Sequence, residues 1–168
     1  MKLLVEKLQN LQALYLRQMR MLLSAEEMIA IKTPFLTERA SDPDLHQAFR
    51  GQSEAAEKRA DKIREILGSL GKETEPIKCK VVYALFDEAE DLTADAGHES
   101  VRDAIVITAG QRVKHYQIAV YGTLRQFAQV LGRVDDAQFL DEAMHEAGNA
   151  DKRLSGIAER VNIIAKAA

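Results

Sequence analysis

The sequence predicts an all-α protein, a bundle of long helices in a single domain covering residues 1–168. Apolar residues recur at the three-to-four spacing of an amphipathic helix along most of the chain. The breaks between these stretches are short and carry helix caps and stops. Trp is absent, and three Pro with nine Gly in 168 residues supply few turns. β-Branched residues form few runs, which argues against an all-β fold.

The first helix is read from Leu4, with Leu4, Leu8, Leu11, Tyr15, Leu22 and Ile29 on one stripe of about eight turns. Gln18 and Glu26 fall on that stripe. Pro34 should end or kink it near Thr33. Asp42 as N-cap, Pro43 at the first helical position and Asp44 in the first turn open a second helix that runs to about Leu70 and stops at Gly71. Its inward stripe carries Leu45, Phe49, Gln52, Ala56, Arg59, Ile63, Ile66 and Leu70. The linker Gly71–Lys78 reaches roughly 27 Å when extended, enough for a hairpin or for a crossover along the third helix.

The third helix occupies about Lys80–Ala96, with Val82, Leu85, Glu88, Ala89 and Leu92 inward and Gly97 as its stop. Ser100 and Asp103 read as a capping box for a fourth helix, Val101–Leu131, stopped by Gly132. Asp135 and Gln138 repeat the signal for a fifth, Asp136–Ile164. The fourth helix is unusual. Its inward stripe (Ile107, Gln111, Lys114, Ile118, Tyr121) is polar in the middle, the mark of a helix bordering a site. Tyr121 and Gly122 read as packing positions, since a glycine inside a helix costs about 1 kcal/mol and suggests a close neighbour.

Composition excludes several functions. A net charge of −3 with no basic stripe argues against nucleic-acid binding. Cys79 is the single cysteine, which rules out an intramolecular disulfide and fits a reducing, cytoplasmic setting. The N-terminal MKLLVEKLQN breaks its apolar run at Glu6 and Lys7 and so predicts no signal peptide, and no stretch predicts a membrane span.

Gly68, Gly71 and Lys72 do not make a phosphate-binding loop, and His145–Asn149 lacks the second histidine of a zinc-protease helix. No nucleophile is paired with a histidine; His46 and His98 sit at helix starts and are expected in solvent. An enzyme is not indicated. The carboxylates carry more information. Glu26 and Glu88 lie on stripes that should face the core, where a Glu either pairs with a cation or a metal or else reaches solvent by snorkelling along the bundle edge. Glutamates on facing helices of a bundle are how carboxylate-bridged di-iron centres are built.

Ser24-Ala25-Glu26, the run Asp42-Pro43-Asp44-Leu45-His46-Gln47-Ala48-Phe49, and above all His115-Tyr116-Gln117-Ile118-Ala119-Val120-Tyr121-Gly122-Thr123-Leu124 resemble the YciE/YciF family, ferritin-like bacterial proteins linked to stress. The similarity runs from about Leu11 to Leu154. It implies a ferritin-like four-helix bundle with an additional C-terminal helix, residues 71–78 as a crossover, and a di-iron site in the bundle.

The departures bear on that site. Where the family reads Glu-His-Tyr-Glu, this chain has Lys114-His115-Tyr116-Gln117, and where the family reads Leu-Glu-Glu it has Ser53-Glu54-Ala55. Arg59 stands where relatives carry His or Gln. The expectation is a metal-free core charge cluster of Glu26, Arg59, Glu88 and Lys114 in a cytoplasmic homodimer with a structural or interaction role in stress. The alternative is iron held by Glu26 and Glu88 with His115 or Glu146, acting in iron or peroxide chemistry. A third reading places a small molecule near Gln111 and Tyr116.

Overall fold

The computed structural model describes residues 7–71 and 74–168. Among them are six α-helices and no strand: α1 Leu11–Arg39, α2 Pro43–Phe49, α3 Gln52–Ser69, α4 Lys80–Asp95, α5 Glu99–Val130 and α6 Val134–Lys166. The expected start at Leu4 lies outside the described residues. Asn10 caps α1 by accepting the Ala13 N–H at 2.9 Å, so Leu8 precedes the helix.

Side-chain contacts give each helix a direction. α3 returns antiparallel to α1, bringing Ser53 to Ala30 and Arg59 to Glu26. α4 runs alongside α1, with the Cys79 N–H donating to Ser24 Oγ and Lys32 pairing with Glu90. α5 then runs back, Asp103 meeting Ser41 and Tyr121 meeting Glu26. α6 follows α1 again, from Asp136 at Tyr15 to Arg160 at Asp42. This is the ferritin-like bundle. Residues 74–79, tied to α1 by the Ile77 N–H at Arg20 O, lead into α4, which lies along α1 as a crossover rather than a hairpin.

Two apolar layers enclose the middle of the bundle. One gathers Tyr15, Met19, Leu22, Ile63, Leu124 and Leu140 from α1, α3, α5 and α6. The other gathers Ile29, Leu36, Phe49, Phe86, Val106 and Leu154. Each fully buried side chain of this size contributes about 1.5–3 kcal/mol, so these layers hold the fold and the polar middle is carried by them.

Several expected boundaries move, each for a local reason. α1 does not end near Thr33 but passes through Pro34 to Arg39. Proline removes the bond to the carbonyl four residues back, which is Ala30, and Ser53 Oγ from α3 donates to that oxygen at 2.6 Å. The single second helix is broken between α2 and α3 by Gly51, whose φ of +74° is left-handed. Asp42 caps α2 as read, accepting the Asp44 N–H at 2.9 Å. Ser100 does not cap α5; the cap is His98 without a side-chain bond, because the Asp103 carboxylate is drawn away to the Ser41 N–H at 2.6 Å. α6 likewise begins at Val134, with Asp136 taken up by the Tyr15 hydroxyl at 3.0 Å and by Arg133.

Two glycines of α5 lie close against neighbouring helices. A Cβ on Gly122 would lie 3.3 Å from Met144 Sδ in α6, the close approach its position predicts. Gly110 is tighter: its Cβ would meet Leu154 Cδ1 and Phe49 Cζ at 2.9 Å.

Candidate functional site

Glu26 is the centre of the polar layer and is completely shielded from solvent. Three helices supply its partners. From α5, the Tyr121 hydroxyl and the Gln117 amide Nε2 both donate to Oε1 at 2.6 Å. From α3, Arg59 Nε donates to Oε2 at 3.0 Å. Tyr121 and Gln117 are four residues apart, so one face of α5 delivers both donors. Burial, then the neighbouring Glu26 carboxylate, push the Tyr121 phenol well above its ordinary pKa, so it acts as a donor. Burial works against the Arg59 guanidinium, but Glu26, Tyr121 and Glu146 outweigh it and hold its pKa above the ordinary value.

The layer continues away from Glu26 through amides. Gln117 Oε1 accepts from Lys114 Nζ at 3.1 Å, and Gln52 Oε1 accepts from the same ammonium at 2.9 Å. Lys114 is buried, and among the described residues it forms no ion pair with a carboxylate. Burial first, and then the Arg59 charge, push its pKa down from 10.5 to about 8, against the pull of Glu26 and Glu146. Arg59 Nη1 reaches Glu146 Oε2 at 3.4 Å at the surface end of the layer.

Beside this chain lies a cavity of about 310 Å³ between α3, α5 and α6. Gln52, Arg59, Lys114 and Gln117 line its inner part, and Glu146, Asn149 and Arg153 of α6 its mouth. Ala55, Ala143 and Ala147 leave the room. A shallower groove of about 430 Å³ continues from Arg59 and Glu146 along α3 and α6.

The sequence-predicted residues divide sharply. Glu26, Arg59 and Lys114 come together in the layer. Glu88 does not: its side chain is 53% exposed on the outer face of α4, where it accepts from Arg112 Nη1 at 2.7 Å. α4 buries Val82, Phe86, Ala89 and Thr93 rather than the Leu85–Glu88–Leu92 line, and Thr93 is admitted because its hydroxyl donates to Ala89 O at 2.7 Å. His115 points outward, 67% exposed, beside Asp151 at 3.3 Å. Glu146 is 65% exposed and touches the layer only through Arg59. Gln111 and Tyr116 do not share a pocket: Gln111 donates to Ser155 Oγ at 2.9 Å on α6, whereas Tyr116 Oη sits 3.0 Å from Cys79 Sγ beside α4. Gln117, singled out in the sequence only as a position where the family carries a carboxylate, has a linking role that was not foreseen: its amide joins the acid to the ammonium. Its signal was its place one turn after Lys114 and one turn before Tyr121.

A di-iron centre does not fit these residues. Such a centre needs carboxylates from several helices around one point, and at the level of Glu26 the described residues provide no second buried carboxylate. Both oxygens of Glu26 already accept strong donors, one of them a cation. Among the described residues, no group of three His, Cys, Asp or Glu is placed to hold a metal ion.

Residues 10–168 match the family described as a domain of unknown function, DUF892. The protein YciF of Escherichia coli (strain K12) is 32% identical over 136 residues, 80% of this chain and 82% of that relative. The crystal structure of the E. coli stress protein YciF superposes with a TM-score of 0.86 at 28% identity, covering 92% of this chain and 98% of the other. YcfI from Rhodopseudomonas palustris gives a TM-score of 0.85 at 28% identity over 91% and 98% of the two chains. With the family matched over nearly its whole length, this chain belongs to the DUF892 family, the proteins of the YciF type.

Proposed function

We propose that this protein is a metal-free, non-enzymatic member of its family with a structural or interaction role in a stress response, working as a cytoplasmic homodimer. One observation carries the metal-free part: Arg59 occupies Glu26 Oε2 while Tyr121 and Gln117 occupy Oε1, so protein donors already neutralise the buried acid and engage both of its oxygens. An iron pair would have to displace a guanidinium that the same carboxylate holds. The stress role is supported by the likeness to a relative named as a stress protein. Buried thiol chemistry at Cys79, with no second cysteine in the chain, supports a reducing compartment. No described helix is long and apolar enough to cross a membrane. A symmetric dimer is the commonest closed assembly among soluble homo-oligomers.

Metal analysis of protein purified without chelators tests the reading. Iron, manganese and zinc far below one atom per chain are expected, with no change after chelation and iron reloading. Stoichiometric iron that survives gel filtration would overturn it.

A further inference from the structure

The charges around the cavity between α3, α5 and α6 do not balance. Arg59, Lys114 and Arg153 bring three positive charges to it, and Glu26 and Glu146 bring two negative ones. One positive charge is left over, and it is concentrated at the buried end. There Lys114 has only neutral oxygens as acceptors, from Gln52 and Gln117, and one of its three ammonium protons has no acceptor among the described residues. Arg59 spends Nε on Glu26 and Nη1 on Glu146. A buried cation without a counter-charge is costly, and a cavity beside it lets an anion supply that charge.

We infer that this cavity is a binding site for a small organic monocarboxylate, with Lys114 at its floor and Arg59 and Arg153 beside it. A single negative charge makes the site neutral, whereas a dianion such as phosphate would leave it negative. At about 310 Å³ the cavity lies at the small end of ligand pockets and has room for a small organic acid of up to about ten heavy atoms. The alanine walls, Ala55, Ala143 and Ala147, offer the short apolar tail of such an acid a matching surface. Glu146 and Asn149 at the mouth are exposed and leave the path from solvent open.

The inference rests on the metal-free reading, since a metal on Glu26 would change the charge count. The test titrates the purified protein with propionate at constant ionic strength, follows backbone amide resonances by NMR, and measures iron in the same sample. Propionate should produce saturable shifts at residues of α3, α5 and α6 around the cavity, and propionamide, equal in shape but uncharged, should not. Lys114→Met should weaken propionate at least about tenfold. Arg153→Glu, a change at an exposed residue that leaves the fold intact, should weaken it several-fold. Absence of saturation in iron-free wild-type protein would overturn the inference and leave the metal-free reading standing. So would equal response to propionamide, tighter binding of inorganic phosphate, or unchanged affinity in both variants. Stoichiometric iron in the sample would overturn both.

Discussion

The two buried charges of the polar layer are treated very differently. Glu26 receives three donors, one of them a cation, at 2.6–3.0 Å. Lys114, one amide away along α5, receives two neutral acceptors and no carboxylate among the described residues. Desolvation is the same problem for both. Its solution is complete on the acid side and partial on the ammonium side, and only the ammonium side opens on a cavity. A saturated charge holds helices in register; an unsaturated one beside open space is where a bundle of this kind would meet a ligand.

Four substitutions sharpen or break that contrast. The largest effect is expected from Glu26→Leu, which takes from Arg59, whose side chain is only 10% exposed, its one buried carboxylate and leaves it only the longer contact to exposed Glu146. Chemical denaturation should show a loss of about 3–5 kcal/mol; a loss under about 1 kcal/mol would mean that the layer is wetter than its burial indicates.

Lys114→Met should do the opposite and stabilise at neutral pH, by up to about 3 kcal/mol. The folded-state pKa of about 8 lies below the ordinary 10.5, so below pH 8 the ammonium is charged in both states and the full burial cost stands. Between those values the folded form loses its proton first, and wild-type stability rises with pH until the cost is gone. The difference between variant and wild type should therefore shrink between pH 8 and 10.5. A constant difference across that window would remove the electrostatic explanation.

Tyr121→Phe deletes one charge-assisted donor to Glu26 while keeping the ring in its apolar surroundings, and should cost about 1.5–3 kcal/mol. Equal midpoints for variant and wild type would show that the hydroxyl contact adds nothing. Glu88→Ala is the smallest change, because an exposed pair with Arg112 is worth about 0–1 kcal/mol. A loss above about 2 kcal/mol there would place Glu88 back among the residues that matter to the fold.

Much of this was legible in the sequence, because stripes and stops are local. Asp42–Pro43 opened α2, Gly71 and Gly132 adopt the left-handed φ of helix stops, and the polar middle of the α5 stripe marked the site. Glu26, Arg59 and Lys114 were assigned inward from spacing and do face inward. Glu88 was not readable in the same way. On α4 the lines through Leu85 and Leu92 and through Phe86 and Thr93 differ by one residue, and only the packing of α4 on α1 and α5 chooses between them. Whether the helix ends at Pro34 or passes through it was not readable locally, because the donor that takes up the Ala30 carbonyl is Ser53, 19 residues further along the chain. The break at Gly51 needs a φ that composition does not display, and the tightness at Gly110 depends on Phe49 and Leu154 from two other helices.

The central claim is that Arg59 is the counter-ion of Glu26, in the place a metal would hold in a di-iron bundle. The most direct measurement is the double variant Glu26→Leu with Arg59→Met, compared with each single change by denaturation. Each single variant strands a buried charge, whereas the double variant leaves an apolar layer, so the pair should recover most of the loss, with a coupling of about 3 kcal/mol or more. Additive losses with no recovery would show that the two groups do not depend on each other, and would contradict the account.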